Sequence, residues 1–283
     1  MKTILLTGIN GFLGSNLAKT LSKEYNIIGL EYSLENQFRI AECNYKVYSA
    51  ENGISEKIFT EQLIDIVVHT ATFYGKNNED FVQMFNANLY SPFSLLNKAI
   101  QFECKLFVNT DTVLDSFINT YALTKRQFQQ WLYLRKNEIK VINIQLEHFY
   151  GNGASSTNFI TAMIHKLKNN EAQIDLTLGE QERDFVYIDD VVSAYEILLK
   201  NNPGIKDAYS EFRVSTGQLT SIKNLMIYLK EITGSATVLN FGAIPYRDNE
   251  LMLSESDNSA LIQLGWRPKY SIEEGLKITS RNS

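Results

Sequence analysis

The sequence predicts an α/β protein: a doubly wound parallel sheet over residues 1–150, then a smaller mixed α/β lobe over 151–283. Three observations carry that prediction. Short apolar runs alternate with longer amphipathic stretches from the start of the chain to about residue 146, the rhythm of βαβ units. Segment 64–69 (IDIVVH) is apolar nearly throughout, as a strand covered on both faces must be. After 150–156 (YGNGASS), the most loop-like stretch of the chain, helix and strand signals mix without a regular series.

Taken in order, 4–6 is a short apolar run that reads as a strand and leads into a glycine-bearing turn, which opens a helix over 12–24. Segment 27–30 is the second strand, 64–69 the central one, and 106–109 and 141–145 the last two. The amphipathic stretches 79–103 and 119–137 are too long for strands and read as helices. A later helix, 188–201 with 191–200 as its core, is expected to pack back on the first domain. The second lobe is expected to bind substrate, in a cleft between the two. No internal repeat or low-complexity tract is present.

At 283 residues, 44% hydrophobic and 21% charged, the chain can bury a substantial core in one large or two interleaved domains. A formal net charge of −5 gives no overall attraction to nucleic acid or to an anionic membrane, so neither is expected as a partner. Local basic positions can still hold a phosphorylated substrate. Cys43 and Cys104 share no metal-ligand spacing and have no histidine nearby; inert thiols and no metal are expected. No apolar run approaches the ~20 residues that span a bilayer. The chain enters a strand at once, so no signal peptide is expected and the expected location is cytoplasmic.

Glycines at 8, 11 and 14 lie in Thr7-Gly8-Ile9-Asn10-Gly11-Phe12-Leu13-Gly14. A tight turn alone would explain them. A strand before and a helix after give them a further meaning: residues without Cβ let a pyrophosphate approach the helix N-terminus, whose free N–H groups and dipole favour negative charge. The turn reads as a Rossmann dinucleotide site, with Gly8, Asn10, Gly11, Phe12, Leu13 and Gly14 as its candidate residues. Its GxxGxxG spacing is one residue longer in the first gap than the commonest fingerprint. The second strand ends at Glu31, 17 residues past Gly14. A carboxylate there accepts hydrogen bonds from the adenosine ribose and repels a 2′-phosphate. Two like charges ~5 Å apart at an effective dielectric of ~20 cost roughly 3 kcal/mol before salt screening. NAD is therefore favoured over NADP, although Arg39 can swing in to compensate. A solvated acid at a strand end is the plainer reading of Glu31.

Thr110 follows the strand 106–109 in Asn109-Thr110-Asp111-Thr112, and Tyr121-Ala122-Leu123-Thr124-Lys125 opens the next helix. Residues four apart on a helix share a face. A phenol with an ordinary pKa of about 10 is a poor acid–base catalyst at neutral pH. A neighbouring ammonium and a positive nicotinamide both favour the phenolate. In a reduction, Tyr121 would give a proton to a carbonyl oxygen as hydride reaches the carbon. Lys125 would tune Tyr121 and hold the nicotinamide ribose, and Thr110 would orient the oxygen. A lone YxxxK is often a surface accident. Here it follows a Thr-Asp-Thr strand end in a chain that already carries the glycine turn, so NAD(P)(H) redox chemistry is expected.

These motifs, with VVHTAT (67–72), NANLYSPFSLL (86–96), RDFVYIDDVV (183–192) and the 245–276 region, resemble the extended short-chain dehydrogenases/reductases of the nucleotide-sugar branch, in family order over nearly the whole chain. Within that branch NTDTVLD, LEHFYGNG (146–153) and LGEQERDFVYIDD (178–190) look most like the CDP-abequose and CDP-paratose synthase-type 4-ketoreductases. The resemblance implies a role in surface-polysaccharide sugar synthesis. It implies that Thr70 and Ala71 line the cofactor and that Asn88 buttresses the cofactor-side helix. Thr72, Asp111, Thr112, His148, Asn158, Arg183 and Arg247 would meet the nucleotide sugar, with the two arginines on its diphosphate and Asn158 near it. Salt bridges to acidic neighbours (Glu182 and Asp184; Asp248 and Glu250) are the plainer reading of the arginines. His148, beside Glu147, is either a sugar contact or a hydrogen-bonded core histidine.

The departures narrow the reaction. Related 4,6-dehydratases carry Thr-Asp-Glu where this chain has Thr110-Asp111-Thr112, and epimerase-reductases place a cysteine at the third position. A threonine has no useful basicity near neutral pH. Three readings stay open: a 4-ketoreductase acting on a keto-deoxysugar nucleotide, a nucleotide-sugar 4-epimerase with tightly held NAD, and a non-catalytic dinucleotide-binding sensor. The third would have no use for the Tyr/Lys pair. The resemblance also implies a homodimer in which 79–103 and 119–137 form a four-helix bundle. Both stretches carry apolar residues beyond one stripe: Phe81, Val82, Met84, Phe85 and Leu89, then Phe128, Trp131, Leu132 and Leu134. Ordinary packing on the sheet is the plainer alternative.

Overall fold

Ile-, Val- and Leu-rich runs pack well on a pleated surface, and here they form the strands of a wound sheet. The structure is a computed structural model that describes residues 1–75 and 80–282. β1 (Thr3–Thr7) is followed by α1 (Phe12–Leu21), β2 (Asn26–Glu31), β3 (Lys46–Ser49) and a short α2 (Lys57–Glu61). β4 (Ile66–His69) leads to α3 (Phe81–Phe85), a π-helical turn (Asn86–Tyr90) and α4 (Ser91–Gln101). β5 (Leu106–Thr112), α5 (Thr120–Leu134) and β6 (Lys140–Leu146) complete the series.

The helix expected over 79–103 runs without a break from 81 to 101 and widens to a π turn at Asn86–Tyr90; residue 79 lies outside the described residues. Asp80 caps α3 by accepting from the Val82 and Gln83 N–H groups. Pro92 stands at the start of α4. It returns no N–H to the preceding turn, and its ring crowds the carbonyl four residues back, which favours a widened turn there.

The chain continues with β7 (His148–Tyr150), α6 (Phe159–Lys168), β8 (Gln173–Leu176), β9 (Glu182–Tyr187) and α7 (Ile188–Asn201). After a 3₁₀ turn (Asn202–Gly204) come β10 (Tyr209–Val214), β11 (Leu219–Ser221), α8 (Ile222–Thr233), β12 (Val238–Phe241), α9 (Ser259–Gln263) and α10 (Ile272–Arg281). The chain divides into two units, Met1–Gln145 with Tyr195–Phe212, and Leu146–Ala194 with Arg213–Ser283. The return to the first unit thus starts midway along α7 and runs past it. The reason is β10, which extends the sheet beside β6; the Val141 N–H donates to the Ala208 carbonyl at 2.9 Å.

In the first unit the seven-stranded parallel sheet runs β10-β6-β5-β4-β1-β2-β3. Register pairs Ile4 with both Ile27 and Ile66, and Val67 with Phe107. On one face Leu5, Ile28, Val67, Phe107 and Val141 pack with Leu95, Leu96, Ala99, Phe128 and Leu132 from α4 and α5. The strand order reverses between β1 and β4, and the carboxyl ends at such a reversal are the ligand position in wound α/β sheets. The second unit holds a three-stranded sheet, β11-β9-β7, and a two-stranded one, β12-β8, with both parallel and antiparallel pairs. Among the described residues no helix is long and apolar enough to cross a membrane.

Candidate active site

β1 delivers Thr7 and Gly8 to the switch point. Gly8 has φ +67°, and its N–H donates to the Leu30 carbonyl at 2.8 Å, joining the turn to β2. A Cβ on Gly14 would stand 2.0 Å from the Gly8 carbonyl oxygen, so only glycine lets α1 begin against the turn. The N-cap of α1 is Gly11; no side chain caps the helix and no acid stands in its first turn. Phe12 and Leu13 open that turn. A glycine N-cap with no acid beside it suits an anion, and the residues present fit a pyrophosphate.

Glu31, at the end of β2, accepts from the Asn10 N–H at 2.5 Å. Burial raises its pKa, and the Asn10 and Tyr32 N–H groups oppose the rise. It is a half-buried, bonded acid rather than a solvated one. Asn10 also fastens the loop after β2. Its Nδ2 donates to the Asn36 carbonyl at 2.9 Å, and its Oδ1 accepts from the Arg39 N–H at 3.0 Å. The Arg39 guanidinium donates to the Asn10 carbonyl at 3.3 Å and lies over the Phe38 ring, 4.4 Å from its centroid. Arg39 is therefore already held at the glycine turn.

On the other side of β1, the Thr7 hydroxyl accepts from the Thr70 and Ala71 N–H groups at 3.2 and 3.1 Å. With two donors already on its oxygen, Thr7 directs its own proton to Nδ1 of buried His69 at 2.8 Å, which leaves the ring proton on Nε2. Burial and then Lys125 hold the imidazole well below its ordinary pKa. A Cβ on Gly8 would meet the Ala71 backbone at 2.9 Å, so Thr70 and Ala71 form the wall of the turn.

Asn119 caps α5 by accepting from the Ala122 N–H at 2.8 Å. This places Tyr121 in the first turn and Lys125 one turn further in. Burial holds the Tyr121 phenol well above its ordinary pKa; Tyr74 and Asp111 add to the rise, and the Thr72 hydroxyl opposes it. The Tyr74 and Tyr121 ring centroids are 4.9 Å apart. Burial lowers the pKa of Lys125, and Asp111 opposes that. The shift of Tyr121 is thus upward, not the lowering expected from an ammonium neighbour, because burial of both side chains disfavours phenolate and ammonium alike.

Thr110 sits near the end of β5, with its Oγ1 2.7 Å from the Tyr195 hydroxyl. Asp111 is buried: Oδ2 accepts from Asn143 Nδ2 at 2.9 Å and Oδ1 from the Thr112 N–H at 2.8 Å. The Thr112 hydroxyl accepts from the Leu114 N–H at 3.3 Å. The side chains expected to meet substrate at this strand end are thus engaged within the fold. Asn88, buried in the π turn, accepts from the Phe73 N–H (2.8 Å) and the Thr72 hydroxyl (3.2 Å). It donates to the Phe73 carbonyl (2.7 Å) and the Thr124 hydroxyl (3.4 Å). It ties the loop that carries Thr72 to α5.

The remaining candidates belong to the second unit. Arg183 is 8% exposed and donates to Glu250 at 2.7 Å and to the Glu182 carbonyl at 2.9 Å. Its ion-pair partner is Glu250, not Glu182 or Asp184; the Asp184 carboxylate accepts from the Thr216 and Gly217 N–H groups instead. Arg247 is exposed, and among the described residues it forms no ion pair. Asn158 caps α6 through the Ile160 and Thr161 N–H groups and donates to the Phe149 carbonyl at 3.1 Å. The His148 side chain is 42% exposed, with Nδ1 3.8 Å from Glu147, so it is not a core histidine.

The motif reading missed Tyr195, Asn143 and Tyr74. Nothing in their local spacing sets them apart; each gains meaning from a partner distant in sequence. Tyr195 meets Thr110 across 85 positions.

Residues 4–210 match the model of the NAD-dependent epimerase/dehydratase family. Over nearly their whole lengths, the chain is 31% identical to the CDP-abequose synthase of Salmonella typhimurium (97% of this chain, 96% of that one) and 34% to that of Salmonella muenchen (98% and 96%). It is 27% identical to the dTDP-D-glucose 4,6-dehydratase of Mus musculus, over 98% of this chain and 87% of the other. Among solved structures, the UDP-glucose 4-epimerase of Thermotoga maritima superposes with a TM-score of 0.86 at 25% identity, covering 99% of this chain and 98% of that one. With its glycine turn at the strand-order switch and a match over most of its length, the chain belongs to the NAD-dependent epimerase/dehydratase family and binds NAD(P).

Proposed function

We propose that this enzyme reduces the C4 keto group of a deoxysugar nucleotide with NAD(P)H. Sugar-nucleotide oxidoreductase or epimerase chemistry follows from the family and from the identity to two CDP-abequose synthases. The observation that favours reduction over dehydration is the state of the β5 end. Asp111 is buried with both oxygens accepting hydrogen bonds, and Thr112 offers no base, so elimination of water has no obvious proton acceptor there.

When bound, the reduced nicotinamide supplies the hydride that adds to the carbonyl carbon. Tyr121, held protonated by its burial, gives its proton to the carbonyl oxygen. Thr110 donates a hydrogen bond to the same oxygen and orients it. Lys125 holds the nicotinamide ribose, and its charge favours the phenolate left after proton transfer. Asp111 favours the charged form of Lys125 inside the fold. Glu31 takes the adenosine ribose and favours NAD. In the second unit Arg183 and Arg247 serve the diphosphate, and His148 the sugar.

A homodimer is part of this reading. Met84, Leu89, Phe128 and Leu132 are buried, whereas Phe81, Val82, Phe85, Trp131 and Leu134 are exposed on the same helices. That second apolar face supports association through α3 and α5.

The 4-epimerase reading has the likeness to the Thermotoga maritima enzyme in its favour and uses the same residues. Assay of purified enzyme with CDP-, GDP-, dTDP- and UDP-linked 4-keto sugars separates the two. Stoichiometric oxidation of NADH or NADPH, with a 4-hydroxy sugar formed, is the expected result. Turnover of a sugar nucleotide without net cofactor change would overturn the reductase reading in favour of the epimerase.

A further inference from the structure

A threonine hydroxyl has one proton and can rotate, so an oxygen meant to hold a substrate carbonyl needs something to aim it. Thr110 has such a partner. Its Oγ1 lies 2.7 Å from the hydroxyl of Tyr195, which sits on the second half of α7 within the same unit. Tyr195 is fully buried at 0% exposure. Its ring would fill the same space without a hydroxyl, so packing alone calls for phenylalanine.

The direction of this bond follows from acidity. A phenol is a better donor and a poorer acceptor than an aliphatic alcohol. Burial raises the pKa of Tyr195 further, with Tyr74 and Asp111 adding and Thr110 opposing, so the phenol stays protonated. Among the described residues, its hydrogen-bond partner is Thr110. If Tyr195 donates, Thr110 accepts, and the Thr110 proton is left for a group outside this pair. Hydrogen bonds in such a chain polarise one another, which strengthens the outermost donor.

We propose that Tyr195 is a positioning residue whose hydroxyl donates to Thr110 Oγ1 and thereby aims the Thr110 proton at the substrate carbonyl oxygen. The inference rests on the reading of Thr110 given above. Tyr195 touches neither substrate nor cofactor in this account and acts through Thr110 alone.

Steady-state kinetics of Tyr195→Phe, Thr110→Ala and the double variant test it, with dinucleotide affinity measured on each to show that the fold is intact. Tyr195→Phe is expected to lower kcat about tenfold, the rate equivalent of one hydrogen bond, with dinucleotide affinity unchanged. Thr110→Ala is expected to lower kcat by about a hundredfold. The double variant should be no slower than Thr110→Ala, because Tyr195 has nothing left to aim. In a Thr110→Ser background, which keeps the acceptor, Tyr195→Phe should again cost about tenfold. Losses that multiply in the double variant would mark Tyr195 as merely structural. A wild-type kcat for Tyr195→Phe beside a slow Thr110→Ala would overturn this proposal and leave the reading of Thr110 standing. A wild-type kcat for Thr110→Ala would sink both.

Discussion

Lys125 and Asp111 are both buried, at 3% and 4% exposure; burial lowers the pKa of the lysine and raises that of the aspartate, and the charge of each opposes the shift of the other. Asp111 also acts on Tyr121, where its negative charge disfavours the phenolate. One carboxylate therefore supports the ammonium and restrains the phenol.

The sign of its removal follows directly. In Asp111→Asn the phenolate loses an opposing charge, so the Tyr121 pKa falls. Reduction needs protonated Tyr121, and the alkaline loss of activity should begin at lower pH than in the wild type. The pH profile of kcat/KM in the reductive direction checks this; a shift to higher pH would show that the loss of Lys125 charge dominates instead.

Gly14→Ala should abolish dinucleotide binding. The new Cβ would meet the Gly8 carbonyl oxygen at 2.0 Å, and backbone cannot move aside as a side chain can. Gly8→Ala should cost about 1–2 kcal/mol from its positive φ and a further amount because the new Cβ would stand 2.9 Å from the Ala71 backbone. Fluorescence titration with NADH and thermal unfolding measure the two effects.

Asn88→Ala removes four hydrogen bonds between the 72–73 loop, the π turn and α5. Stability should fall by about 3 kcal/mol, since the Phe73 N–H and carbonyl both lose a partner. Urea unfolding checks the magnitude, and kcat should fall with it as Thr72 loses its anchor beside Tyr121.

What the chain declared in advance was whatever depends on local pattern. The apolar run of β1, the glycine turn and the Tyr121–Lys125 spacing need only neighbouring residues to be read. β3 was illegible because KVYS is an edge strand with no fully buried residue, so its apolar signal is weak. The pairing of Arg183 with Glu250 joins residues 67 positions apart, and local acidic neighbours pointed elsewhere. Likewise, the i,i+4 spacing puts Lys125 near Tyr121, but burial and the adjacent strand decide which charge Lys125 answers. The return of β10 to the sheet edge rests on a partner far back in the chain.

Glu250 holds the Arg183 guanidinium that the proposed function assigns to a diphosphate. Glu250→Gln removes the competing charge and should tighten binding of CDP or another nucleoside diphosphate several-fold. Arg183→Gln should weaken it about 10–100-fold, the range for charged hydrogen bonds. Isothermal titration calorimetry with the nucleoside diphosphates measures both; equal weakening by the two changes would show that Glu250 positions Arg183 for the ligand.

A charge in the exposed apolar face should split the proposed dimer. Leu134→Glu, at a position 66% exposed, places a carboxylate in that face without touching the sheet core. Sedimentation should show a dimer for the wild type and a monomer for the variant. A monomeric wild type would remove the dimer from the account.

The most direct test of the central claim is kcat for Tyr121→Phe, measured at saturating 4-keto nucleotide sugar and NAD(P)H alongside dinucleotide affinity. A loss of about 10²–10⁴-fold in kcat with cofactor affinity retained is the expected result for removal of the proton donor. Wild-type turnover in that variant would contradict it.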